Sequence, residues 1–425
     1  MSRRALVALL VGMTSLRAFG LDGTVVTDFV PSAARIIPSP GSAPMQAETT
    51  RATTQAVAGD SATLPGGWIL SGTVWTLLDS LPTDDPRQVP DTGVDFSSRL
   101  LQLDARCQVV PGILMVDLGK QLIHPSSGFF KTPLDLISRG AAGNVPQSTP
   151  AASPQWEEGW VGAKVVGIVG DWSFEDFLAP ALTWSAAADR TLQYLSLQQS
   201  AWQNQVRVDV HMGAADLQFL TLVTGIGLGT SGQALHVQTG AGLDGNVGDN
   251  LTVRAEATLA DSLDRLAVAD AASLSVVDQT RTWVPRALVG STWSINAELS
   301  LMAEYYYDGL GFFGDEYASA IQYAKNRWLT GADAPDLAGQ FGPFSLGRNY
   351  TFLRLADTIT DQITGQGWTE INLQDLSGIM GIGIAAKYDH WGISGAFTQT
   401  WGGDGTEAQV LPYLWQLDAE LQFYF

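Results

Sequence analysis

The chain has one cysteine, Cys107, in 425 residues, so no disulfide can form within it. Cys107 lies in an alternating run and is expected to pack as a small apolar residue. Charge is scarce as well. Only 16 % of residues are Asp, Glu, Lys or Arg, against roughly 25 % in an ordinary soluble domain. Basic residues are outnumbered 43 to 23, for a net charge of −20, which excludes bulk neutralisation of nucleic-acid phosphates. An acidic balance of this size fits either simple solubility or an acidic interior that attracts cations. Long hydrophobic runs are missing too. Beyond the first twenty residues no run approaches the ~18 apolar residues of a spanning helix, although 45 % of the chain is hydrophobic. Metal-ligand patterns are also absent. His124, His211, His236 and His390 show no ligand spacing, so neither a metal nor a cofactor is expected.

What is present is a period of two. Near the C-terminus, Leu417, Ala419, Leu421, Phe423 and Phe425 alternate with Gln416, Asp418, Glu420, Gln422 and Tyr424. From Trp293 to Tyr305 apolar residues alternate with Ser294, Asn296, Glu298, Ser300, Met302 and Glu304. Val206, Val208 and Val210 alternate with Arg207, Asp209 and His211, and Leu251 to Leu259 alternates with Thr252, Arg254, Glu256 and Thr258. One face of each run is apolar and the other polar, as in a strand with hydrocarbon on one side and water on the other. Fifteen such runs fall between residues 68 and 425. Many reach the ~9–11 residues of a tilted membrane strand. Nine tryptophans stand at their ends: Trp160, Trp172, Trp184, Trp202, Trp283, Trp293, Trp391, Trp401 and Trp415. Tryptophan concentrates at membrane–water interfaces.

The expected fold is therefore all-β, a single antiparallel transmembrane β-barrel. Bacterial single-chain barrels have even strand counts, so about 14 strands are expected, within a range of 12 to 16. Residues 1–20 read as a signal peptide: Arg3 and Arg4, an apolar stretch from Ala5 to Ser15, then Ala18-Phe19-Gly20. Residues 21–67 read as an N-terminal extension, either a plug or a flexible segment, and residues 68–425 as the barrel. Gly170-Asp171, Gly213-Ala214 and Asp389-His390 read as short turns. Segments 138–157, 261–281 and 307–347 read as long loops, with a helical turn or two in 261–281 and a short helix over Ala318–Trp328. Either helical piece is placed to fold inward and narrow the lumen.

Two features resemble a known family. The terminal Phe425, with Phe423 and apolar residues at alternate positions before it, is similar to the C-terminal signal recognised by the bacterial barrel-assembly machinery. The stretch Gly119 to Ile137, through Gly119, Lys120, Gln121, Gly128, Phe129, Pro133 and Asp135, resembles a motif of bacterial porin-like outer-membrane proteins. Where that family carries Trp-Gly after the Gln strand, this chain has His124-Pro125. Ala303 to Tyr317 resembles a later part of the same proteins. The resemblance implies a location in the cell outer membrane, with outer-membrane lipid, the assembly machinery and small solutes as partners.

The expected function is a porin-like channel for passive passage of small hydrophilic solutes or ions. The lumen-lining candidates are Arg207, Asp209, His211, Arg254, Glu256, Glu298, Glu304, Asp418 and Glu420. Opposed basic and acidic walls would set charge preference through a transverse field. If these residues instead pair with one another, they would stabilise a blocked lumen. No catalytic residue is expected. Asp209 and His211, two apart on one strand face, would be the dyad of an enzyme, but Arg207, Asp209 and His211 read more simply as polar wall. Two rival functions remain: a transporter of hydrophobic, fatty-acid-type substrates with residues 21–67 as its plug, and a surface adhesin acting through long loops.

Overall fold

The computed structural model describes residues 22–36, 45–64, 67–80, 94–121, 160–180, 201–227, 235–330, 345–411 and 413–424, and positions 123, 129, 131, 133 and 134. The signal-peptide stretch, Trp184, Phe425 and the loop 138–157 lie outside these residues.

The described chain is dominated by strands in one antiparallel sheet. The first six are β1 (Asp22–Ile36), β2 (Met45–Leu64), β3 (Trp68–Ser80), β4 (Val94–Val110), β5 (Leu114–Gln121) and β6 (Trp160–Val169). Next come β7 (Trp172–Pro180), β8 (Ala201–Met212), β9 (Ala215–Gly227), β10 (His236–Val247), β11 (Leu251–Asp270) and β12 (Ser275–Ser294). The last six are β13 (Leu299–Asp308), β14 (Asn349–Thr360), β15 (Ile363–Asn372), β16 (Gly378–Lys387), β17 (Trp391–Trp401) and β18 (Tyr413–Tyr424). Among the described residues one helix, α1 (Asp315–Thr330), and a 3-10 turn at Glu407–Val410 sit in connections. Each strand pairs with the next, and β1 pairs with both β2 and β18, so the pairings return to their start. A sheet joined this way has no free edge.

The count is 18 rather than 14. All fifteen alternating runs coincide with strands, and three further strands were not expected. Two of these, β1 and β2, occupy the stretch read as an extension or plug. The third, β15, follows β14 after a two-residue turn. Segment 261–281 is not a loop with helical turns. It is the outer half of the β11–β12 hairpin, which turns at residues 271–274. The helix expected over Ala318–Trp328 is present as α1. It packs on that hairpin extension, where Tyr317, Ile321 and Ala324 meet Leu266, Val268 and Val276. It therefore stands at the barrel mouth.

Burial follows the alternation, inside out. The exposed side chains include Leu103, Val206, Phe219, Val289, Leu355, Ile382, Ile393 and Leu417, while Asp104, Glu175, Gln205, Glu256, Glu370 and Glu420 are buried. Apolar groups thus form the outer surface and polar groups the inner one, as a hydrocarbon surround requires. The tryptophans mark the height of the apolar band. Trp391 and Trp401 begin and end β17 on its outward face. Trp283 and Trp293 share the outward face of β12. Each pair is ten positions apart, about 25 Å of membrane height at about 3.3 Å per residue and about 40° of tilt.

The connections differ at the two ends. Turns at 111–113, 170–171, 213–214, 248–250, 295–298, 361–362 and 388–390 are short. The opposite mouth carries the 37–44, 81–93, 122–159, 181–200 and 309–348 connections, and the extended hairpin.

Candidate functional site

The interior is organised by the segment that follows β5. Gly119 holds a φ of +126°, and a Cβ there would meet the Leu103 carbonyl, so only glycine fits where β5 crosses β4. Gln121, at the end of β5, reaches the carbonyls of Asp117 and Gly162 at 3.4 Å each. From there the chain leaves the wall and enters the lumen. Ile123 and Leu134 pack with Phe177, Ala179, Leu220 and Leu222 from β7 and β9, an apolar patch on an otherwise polar inner face. Leu134 also lies against Gly240 and Gly242 of β10, where added Cβ atoms would come within 2.7 and 2.8 Å of its methyl groups. Bare glycines on the inner face of β10 are what let the segment come this close.

The same segment reaches the β13–β14 side. The Phe129 ring stacks on Phe352 at 5.7 Å between centroids, with the Arg354 guanidinium 4.8 Å from the Phe129 ring centre. Phe352 in turn meets Trp368 at 6.4 Å. Lys131 Nζ donates to Ser345 Oγ at 2.5 Å and lies over the Tyr350 ring. Two wall carboxylates accept backbone N–H groups of the segment: Glu304 from Phe129 at 3.1 Å, and Glu256 from Leu134 at 3.4 Å. The described residues of this segment thus form a bar along the β7–β14 side of the lumen.

The structure places the candidate residues as follows. Glu256 and Glu304 are buried on the inner face and anchor the bar; Arg254 Nη1 bonds Glu304 at 3.2 Å. Arg207 bonds Asp209 at 2.9 Å and lies 3.7 Å from Glu175 on the neighbouring strand. His211 lies 2.5 Å from Asp216 across the β8–β9 turn, and Asp209 instead accepts from Ser173 and Arg207, so no Asp209–His211 dyad forms. Asp418 and Glu420 are buried on the inner face of β18. Glu298 is not on a strand face at all. The chain turns at residues 295–298, and Glu298 is exposed there, because the alternating run from Trp293 to Tyr305 is cut by a hairpin. Phe423 lies opposite Trp391 and Val25 in the sheet.

Further wall residues went unnoticed in the sequence. Asp117 pairs with Arg106 at 2.8 Å and with Lys164 at 3.3 Å, and Arg286 pairs with Asp308 at 3.1 Å. The alternation of β5 and β6 was enough to have found Asp117 and Lys164. These ion pairs join near neighbours along one wall.

At the long-loop mouth a polar network ties the connections together. Glu407, on the 3-10 turn, accepts from the Leu346 N–H at 2.6 Å, the Tyr350 hydroxyl at 2.8 Å and Asn372 Nδ2 at 2.6 Å. Asn372 also donates to the Tyr317 hydroxyl at 2.8 Å, and Tyr317 to Asp375 at 2.6 Å. Burial pushes the Glu407 carboxyl up to about 7, against the hydrogen bonds that favour its charged form. Burial, reinforced by the Glu407 charge, likewise raises the Tyr317 hydroxyl. On the far side of α1, Glu316 binds Arg265 at 2.8 Å and Arg281 at 2.5 Å. Burial pushes its carboxyl up, and the two guanidiniums outweigh that, holding it below the usual carboxylate range. Among the described residues no cluster has the donors for a metal ion.

Eighteen antiparallel strands, an apolar exterior, short turns at one mouth and an inward bar after β5 define the architecture. The fold is a single antiparallel β-barrel. No family model and no curated protein matches the chain. Solved structures similar to it include variants of the porin of Rhodopseudomonas blastica. A triple mutant of that porin is 11 % identical, with a TM-score of 0.45, 95 % of this chain covered and 99 % of that one. A two-substitution variant is 12 % identical at 0.45, over the same shares of the two chains. A structure described as "Asymmetric conductivity of engineered proteins" is 11 % identical at 0.44, again over 95 % and 99 %. Such scores state a likeness and nothing about residues.

Proposed function

We propose that the protein is an outer-membrane channel through which small hydrophilic solutes or ions pass passively. One observation carries the reading: inward positions along the strands hold buried carboxylates, guanidiniums and amides, while outward positions hold large exposed apolar groups. Such a wall separates hydrocarbon from a polar interior. The described residues of the segment after β5 lie within that interior. Their contacts are with β7, β9 to β11, β13, β14 and the loop at Ser345.

The rival transporter of hydrophobic substrates depended on residues 21–67 as a plug. Residues 22–36 and 45–64 stand in the wall instead. In the proposed reading the partners are outer-membrane lipid on the apolar band, the barrel-assembly machinery at the C-terminal strand, and the permeating solutes.

The test is conductance of the purified protein in a planar lipid bilayer. Stable, uniform open-channel steps are expected. A protein that inserts, as shown by protection of its strands from protease, yet passes no current would overturn the reading.

A further inference from the structure

We propose that Arg354, on the inner face of β14, centres a binding site for the carboxylate group of a small organic anion. The binding rests on the geometry of the wall. The role of the bound anion as a permeating solute rests on the channel reading, whose solute class it names.

Arg354 differs from the wall arginines near it. Arg207, Arg254 and Arg286 each lie within ion-pair distance of a carboxylate. Arg354 has no such partner among the described residues. Its neighbours across the sheet are Met302 on β13 and Trp368 on β15, and neither carries charge. Two acids stand one row away, Glu304 and Glu370, both in register with Phe352. Glu304 is taken by Arg254 and by the Phe129 N–H, and Glu370 lies in the field of Lys131 from the bar. Each of those acids thus has another cation, and Arg354 keeps its charge for a ligand.

The guanidinium is held in one orientation. Its Nε donates to Gln366 Oε1 at 2.8 Å. Its carbon lies 4.8 Å from the centre of the Phe129 ring. Phe129 is itself fixed, by its stack on Phe352 and by its N–H bond to Glu304. These contacts use the Nε edge and one face of the group. They leave the two η nitrogens, which have no acceptor among the described residues. A planar fork of this kind matches a carboxylate through two parallel N–H···O bonds.

The surroundings favour an anion as well. Arg354 is half-buried, and Met302, Trp368 and Phe129 give it an apolar setting in which charge attraction is screened less than in water. The Trp368 ring lies over Gly381, and its indole N–H is buried without an acceptor. An unmet buried donor costs about 1–3 kcal/mol. This stretch of wall therefore carries more donors than acceptors. One unpaired guanidinium matches one negative charge, which points to a monocarboxylate.

The test is saturation-transfer NMR on the purified protein in deuterated detergent at low salt, with acetate and with acetamide, its neutral isostere. Saturable transfer to acetate is expected, with at least fivefold less to acetamide. Arg354→Gln should weaken acetate binding at least tenfold, and Arg354→Lys, which keeps the charge without the fork, at least threefold. Equal transfer to acetate and acetamide in the wild type overturns the proposal and needs no variant to fold. Acetate affinity unchanged in Arg354→Gln overturns it too, by placing the bound anion elsewhere. Acetate binding together with silence in the planar bilayer overturns the channel reading and leaves the site standing.

Discussion

The backbone N–H of Phe129 donates to Glu304 Oε1 at 3.1 Å, joining the bar after β5 to a wall carboxylate 175 residues away. Arg254 Nη1 binds the same oxygen. A hydrogen bond to a charged acceptor contributes about 1.5–3 kcal/mol, enough to fix a short irregular segment. Glu304→Ala should therefore free the bar. The expected outcome is faster proteolytic cleavage between residues 123 and 134 and a larger single-channel conductance. Glu304→Gln keeps an acceptor and should change both less. Equal behaviour of the alanine variant and the parent would mean that the bar is held elsewhere.

Gly240 and Leu134 form a second, steric tie. A Cβ at position 240 would meet Leu134 Cδ2 at 2.7 Å, Thr258 Cγ2 at 2.8 Å and the Ala257 carbonyl at 2.9 Å. Gly240→Ala should cost about 1–3 kcal/mol through overpacking, and Leu134→Ala about 2–5 kcal/mol through the cavity it leaves. The double variant should lose less than the sum of the two, because one change relieves the other. Recovery should be partial, since Thr258 and the Ala257 carbonyl remain. Thermal melting of the four proteins in detergent gives the comparison, and strict additivity would rule out the direct contact.

The mouth network should respond to pH in two senses. Glu407 has its pKa raised to about 7 in the folded protein, so the folded state prefers its protonated form. Its contribution is complete below about pH 4.5 and is lost as pH rises through 7. Glu316 is held below the usual range by Arg265 and Arg281, so its contribution is present above about pH 4.5 and fades as pH falls. Hydrogen exchange of α1 should be slowest near pH 5, after correction for the intrinsic rate. Glu407→Gln should remove the loss on the alkaline side only. An exchange profile unaltered by that substitution would show that Glu407 does not govern the mouth.

The tryptophan pairs give a depth gauge. Trp283 and Trp293, and likewise Trp391 and Trp401, should sit at opposite membrane interfaces. Single-tryptophan variants retaining one member of a pair should be quenched more by lipids brominated near the headgroup than by lipids brominated at the acyl-chain end. Stronger quenching from the chain end would put that ring in the hydrocarbon core and shift the band.

Much of the wall was legible because a large outward side chain alternates with a polar inward one, as in β18. Where that contrast fades, the strand is invisible. In β2 the sequence MQAETTRATTQAVAGDSATL is Thr and Ala on both parities, so it reads as a polar linker. In β15, Gly365 and Gly367 take positions where an apolar side chain would give the signal. The outer halves of β11 and β12 rise beyond the lipid, where nothing selects an apolar exterior, and their Ala and Asp content suggested helix. The even-number rule then pulled the count down, when three strands were missing rather than one in excess. The path of the bar was not legible for a different reason. It is irregular chain, and its position is set by distant partners such as Gly240, Glu256 and Phe352, which no local pattern reveals.

Thr24 lies opposite Tyr424, so the seam joins the first strand of the sheet to the eighteenth. Sealing the cylinder must therefore wait until the eighteenth strand has been synthesised and delivered. A product cut short at its carboxyl end would be no narrower tube but an unsealed ribbon, with the hydrogen-bonding rim of its first strand laid bare to hydrocarbon. Pairing at this seam thus separates chains that carry both strands from fragments that lack one.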